Sequence, residues 1–147
     1  MRQITNRTWT FIAVLLMLAA SRVGAQNIVS CTFDASLDDG SLSGTTFPVT
    51  FSYDADQVLP TGESYISLTS FDFTLFGVPF TRSDIFQGGQ VIFRDGAMDN
   101  VTASFQVRLP DGSPVNNITF GFGGPGVLAY IDLDGQFGLG SFALSGC

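Results

Sequence analysis

The sequence predicts an all-β protein, an antiparallel β-sandwich of jelly-roll-like type with about eight or nine strands. Three observations carry this. Apolar and polar residues alternate with period two through most of the chain. Turn signals separate the alternating runs at intervals of roughly 8–12 residues. No segment has the 3.6-residue apolar stripe of an amphipathic helix.

The first element stands outside the fold. In MRQITNRTWTFIAVLLMLAASRVGAQN, Arg2 and Arg7 precede an apolar run from Trp9 to Ala20, and Val23-Gly24-Ala25 offers small residues to a peptidase. That three-part pattern is a secretory signal. An apolar run of about a dozen residues falls short of the roughly 20 that a membrane span needs. We therefore expect a signal peptide at 1–25 and a single domain at 26–147. A domain of that size buries about two thirds of its unfolded surface.

The strands then follow in order. A first run lies at 28–33. In TTFPVTFSYDAD, Phe47, Val49, Phe51 and Tyr53 share one face, and Thr46, Thr50 and Ser52 share the other. Runs at 65–76, 78–81 and 90–94 come next, with one helical turn allowed at 83–87. In NVTASFQVRLP, Val101, Ala103, Phe105, Val107 and Leu109 alternate with Thr102, Ser104, Gln106 and Arg108. The last runs are 117–122, 127–133 and 140–145. Such alternation puts one face on a core and the other in water. Asp-Gly pairs at Asp39, Asp95, Asp111 and Asp134 mark tight turns, because both residues tolerate positive φ.

Phenylalanine is the main core residue: fourteen of fifteen remain once the signal is removed. Phe71 and Phe73 share a strand face, and Phe120 and Phe122 are expected to share another. Each buried ring contributes several kcal/mol, as Phe→Ala costs of about 3–5 kcal/mol indicate.

Charge excludes several functions. After signal removal three Arg (Arg82, Arg94, Arg108) face thirteen acids, a formal charge of −10, with no Lys and no His. Binding to nucleic acid rests on neutralising phosphates with Lys and Arg, so no nucleic-acid partner is expected. Without His or Lys the usual bases of Ser and Cys nucleophiles are missing, as are Schiff-base lysines. Two carboxylates are enough for glycoside hydrolysis, but nothing in the sequence marks a pair as buried or coupled. We expect no enzyme and no cofactor.

Four features point to sites. GFGGPG at 121–126 has the G-x-G-x-x-G spacing of a dinucleotide loop, yet the strand formers Val127, Tyr130 and Ile131 follow where a helix should. It reads as a turn between strands. Asp-rich turns offer hard oxygens to calcium, with Asp132 and Asp134 in IDLDG the best pair, although the full Ca-loop pattern is not met. Cys31 and Cys147 are an even pair in an exported chain and suggest a disulfide joining the ends of the domain. In the chain-entropy model a loop of that length gives roughly 4–5 kcal/mol. The rival reading is a lipid anchor through Cys31 in Ile28-Val29-Ser30-Cys31. Finally, Tyr65 and Tyr130, with Tyr53, could stack on sugar rings, and Asn100-Val101-Thr102 and Asn117-Ile118-Thr119 match the glycosylation acceptor pattern.

The run SYISLTSFDFTLFGVPFT, a Gly-rich hairpin, VTASFQVRLP and GFGGPGVLAYIDLDGQFGLGSF together resemble secreted bacterial proteins of the kind that often carry a PEP-CTERM sorting tail. The resemblance covers roughly residues 44–145. It implies an extracytoplasmic β-sandwich associated with surface or exopolysaccharide material. The Pro-Glu-Pro, apolar span and basic end of that tail are not in this sequence, so free secretion is expected. The reading is a secreted, non-enzymatic protein acting as a matrix, surface or interaction component. Its partner is a polysaccharide or another extracellular protein, and a carbohydrate-binding module is the alternative.

Overall fold

In the computed structural model, residues 25–75, 77–108, 114–131 and 134–144 are described. The expected signal peptide, apart from Ala25, lies outside them. So do Asp132, Cys147 and the Asp111-Gly112 turn.

Nine strands account for the alternating runs: β1 Ile28–Leu37, β2 Thr46–Asp54, β3 Glu63–Leu75, β4 Val78–Phe80, β5 Ile85–Arg94, β6 Ala97–Arg108, β7 Pro114–Phe120, β8 Val127–Ile131 and β9 Phe137–Phe142. The protein is all-β and antiparallel, as expected. The helical turn expected at 83–87 is a 3₁₀ turn at Arg82–Asp84, and residues 132–133 of the run expected at 127–133 lie outside the described residues. The sheet order is β2-β1-β9-β8-β7-β6-β5-β3-β4, and β2 also pairs with β3. That extra pairing joins β2, at one end, to β3, next to the other end, so the sheet closes on itself around one core and leaves β4 outside the ring. The antiparallel architecture is consistent with the β-sandwich expected, and strands adjacent in sequence are mostly adjacent in space. Short connections account for this, since they return each strand beside the one before it. At Asp95-Gly96, φ values of 50° and 77° give a two-residue hairpin between β5 and β6.

One strand changes its inward face partway along. In β3, Ser64, Ile66 and Leu68 are buried, and then Phe71, Phe73 and Leu75. The phase shifts at Thr69-Ser70, where the pairing with β2 slips: Ser52 faces Ser70 but Tyr53 faces Leu68. One extra residue in β3 makes a bulge there. The Ser52 hydroxyl bonds those of Thr69 and Ser70, at 2.7 and 2.6 Å, so the polar groups at the slip are satisfied. The bulge also divides the partners of β3. Residues 63–67 pair with β5, and residues 68–73 pair with β2.

The core is built of phenylalanine. Phe33, Phe47, Phe51, Phe71, Phe73, Phe80, Phe93, Phe105, Phe120 and Phe142 are all buried. Phe71 meets Phe105 at 5.2 Å and Phe120 at 5.1 Å between ring centroids, and Phe73 stacks on Phe80 at 4.7 Å. Offset and edge-to-face pairs at such distances add about 0.5–1.5 kcal/mol each beyond area burial.

Tyr130 belongs to this core and not to the surface. It is 2% exposed, so its ring has no face for a sugar, and Tyr53 is also buried. Its hydroxyl donates to the Asp39 carbonyl at 2.6 Å and accepts from the Leu42 amide at 3.1 Å, tying β8 to the β1–β2 connection. The ring fits only because position 138 on β9 is glycine. A Cβ there would lie 2.3 Å from the Tyr130 ring.

Candidate functional site

The outward faces of β5, β6 and β7 form a shallow groove of about 480 Å³. Its floor comes from alternate positions on neighbouring strands. Gln87 is opposite Ser104, Ser104 is opposite Thr119, and Asn117 lies two residues before Thr119 on β7. These face outward because their neighbours Phe105, Ile118 and Phe120 take the inner face. The lining has hydroxyls, amides and two aromatic rims, Phe86 and Phe122, and among the described residues no charged side chain.

The two rims are placed differently. Along β5, Ile85 faces Phe105 and the next pair is Gln87 with Ser104, so Phe86 has no partner across the ladder. Ile85 packs against the core, and alternation from it turns Phe86 outward, where it is 54% exposed. A second slip follows at Gly88/Gln90.

At the far side β7 ends at Phe120. Gly121 then turns with φ 71°, and its amide and that of Phe122 both bond the Val127 carbonyl, at 2.8 and 3.2 Å. Here a side chain would be strained and crowded, since an added Cβ would lie 2.7 Å from the Val101 carbonyl oxygen. The turn breaks the alternation, so Phe122 does not share the inner face with Phe120 as its spacing suggested. It is 49% exposed and meets the exposed Phe137 ring edge-on at 6.4 Å. GFGGPG thus joins two antiparallel strands, and no helix follows to present a phosphate site.

One polar atom of the floor lacks a partner. The Asn117 Oδ1 is buried and accepts no hydrogen bond. An unmet buried acceptor costs about 1–3 kcal/mol, and it marks a place where a donor would be stabilising. The other acceptor-pattern asparagine differs. Asn100 is 5% exposed, with its Oδ1 held by the Val101 amide at 2.9 Å. Next to the groove, on the other side of Phe86, a second depression of about 390 Å³ is lined by Val78, Pro79, Asp84 and Gln106 among others.

The remaining sequence candidates lie apart from the groove. Tyr65 is 57% exposed on β3 and donates to Glu63 Oε2 at 2.8 Å, while Arg94 bonds the other Glu63 oxygen at 3.1 Å. The hydrogen bond to Glu63, and then its negative charge, raise the Tyr65 pKa above the usual 10. Burial raises that of Tyr53.

The acids of the turns are engaged in local structure. Asp39 Oδ1 accepts from the Leu139 amide, Asp54 from the Asp56 amide and the Gln57 side chain, Asp84 from Thr81, and Asp95 from the Gly62 amide at 2.8 Å. Of the tentative calcium pair, Asp134 sits exposed in a turn and Asp132 is outside the described residues. Among the described residues no three His, Cys, Asp or Glu side chains gather to hold a metal ion. Cys31 is 1% exposed, and no described cysteine is free. No helix among the described residues is long and apolar enough to cross a membrane.

Compared with known proteins, the chain matches no family model, no curated protein and no solved structure.

Sequence reasoning missed the groove residues because it assigned every phenylalanine to the core. A signal was present, however. Phe86 and Phe122 stand beside Gly88-Gly89 and Gly121, where period-two alternation is interrupted.

Proposed function

We propose that the protein is an extracytoplasmic, non-enzymatic interaction component of a surface or matrix, and that it engages its partner through the groove between Phe86 and Phe122. One observation carries the reading. Two large apolar side chains, Phe86 and Phe122, are exposed at opposite sides of one polar strip. Exposed aromatics flanking a concave polar surface favour recognition. Among the described residues the lining has no carboxylate, imidazole, thiol or amine, which favours binding over turnover. The closed sheet leaves β4, three residues long, at its edge, so side-chain recognition is favoured over association along strand edges. The signal-like N-terminus supports export. Burial of Cys31, with no free cysteine described, supports a disulfide to Cys147 over a lipid anchor.

Retention of the purified mature protein on washed envelope and extracellular material of its host tests this. Wild-type protein should be retained, and the double variant Phe86→Ala/Phe122→Ala should lose at least tenfold while melting as the wild type does. No retention, or equal retention of both proteins, would remove the reading.

A further inference from the structure

We propose that the ligand of this groove is a neutral glycan chain. The inference rests on reading the groove as the recognition surface, and it names the chemistry that the surface accepts. Three features select it.

First, the described lining is uncharged within an acidic protein of formal charge −7. With no Lys or Arg among the described lining residues, a phosphate, sulfate or uronate would find no counter-charge there and would meet the repulsion of the surrounding acids. A cationic partner would find no carboxylate in the lining. Neutral ligands remain.

Second, the floor is a row of groups that suit hydroxyls. Gln87, Ser104, Asn117 and Thr119 present amides and hydroxyls on adjacent strands. Sugar hydroxyls both donate and accept, and so match such a row. An apolar peptide side chain would instead cover these groups without hydrogen-bonding them.

Third, the rims are flat and apolar. A pyranose ring has C–H faces above and below and hydroxyls at its edge, so it can lie against an aromatic ring and hydrogen-bond sideways. Phe86 at one side and Phe122 at the other offer two such platforms with the polar row between them. Tyr65 and the buried Tyr130 contribute nothing to this surface.

Affinity electrophoresis of the full mature protein, in gels carrying dextran, mannan, xyloglucan, laminarin or the anionic alginate, tests the assignment. At least one neutral polysaccharide should retard the wild type. Phe122→Ala and Asn117→Ala should each weaken that retardation at least tenfold, and Tyr65→Ala should leave it unchanged. Phe86→Ala, at an exposed position, is a further check that does not depend on Asn117→Ala folding. Three results would overturn the proposal: no retardation by any neutral polymer, retardation indifferent to the groove variants, or equal retardation by alginate. If envelope retention persists and still requires Phe86 and Phe122 while every neutral polymer fails, the glycan assignment falls and the interaction surface stands. If envelope retention also fails, both fall.

Discussion

Phe120 and Phe122 are two residues apart and have opposite fates. Phe120 is 1% exposed and packs edge-on against Phe71 and Phe73 in the core, while Phe122 is half exposed at the mouth of a groove. The same side chain is packed in the core in one place and exposed in the other. What separates them is a single residue between, Gly121, whose left-handed backbone ends the strand. Phe105 and Phe86 repeat the contrast across the β5–β6 ladder, where Ile85 faces Phe105 and alternation turns Phe86 outward. Composition does not tell core from surface in this protein; local backbone geometry does.

The contrast can be broken most forcefully at its buried end. Phe71→Ala, which removes a fully buried ring from the centre of the aromatic cluster, should cost about 3–5 kcal/mol and lower the melting temperature by roughly 10 °C or more. Phe122→Ala should change stability by no more than about 0.5 kcal/mol, because the ring is half in water. Paired thermal melts read both, and equal losses would erase the distinction between core and rim.

A smaller effect is expected at Tyr130, where an aromatic is both packed and hydrogen-bonded. Tyr130→Phe keeps the ring but leaves the Asp39 carbonyl and Leu42 amide without it, at a cost of about 1–3 kcal/mol in chemical denaturation. A neutral result would mean that water replaces the hydroxyl and that the tie between β8 and the β1–β2 connection is dispensable.

The smallest effect lies in alkaline titration. Tyr53 and Tyr65 have pKa values raised above 10 in the fold, and the chain has no Lys to titrate in that range. A raised pKa means that the stabilisation is fully present below the unfolded value near 10, and is lost as pH rises through the folded values. Tyrosinate absorbance should therefore develop late. Glu63→Gln should return one tyrosine toward 10, since the Glu63 carboxylate accepts its proton and supplies the opposing charge. An unchanged titration curve would detach Tyr65 from Glu63.

Much of the fold was legible because period-two alternation is a local property. Phe47, Val49, Phe51 and Tyr53 point inward in β2 as their spacing required, and Val101, Ala103 and Phe105 do so in β6. The Asp95-Gly96 hairpin was legible for the same reason, since its chemistry is contained in two residues. Less could be read where the alternation slips. The phase change between Leu68 and Phe71 is written in the spacing, but its consequence, a strand that changes partner, is not.

By itself the sequence determined an antiparallel all-β chain with a phenylalanine core, turns at Asp-Gly and Gly-rich loops, and an acidic surface. Each of these follows from the covalent order and from preferences that act over a few residues. Tertiary structure alone decided that the sheet closes through β2 and β3, that Tyr130 is a buried tie, and that Phe86 and Phe122 flank one groove. Those outcomes join residues well separated in sequence, from Tyr53 with Leu68 to Asp39 with Tyr130. They depend on register across the ladder, where one extra residue reverses which face a side chain takes.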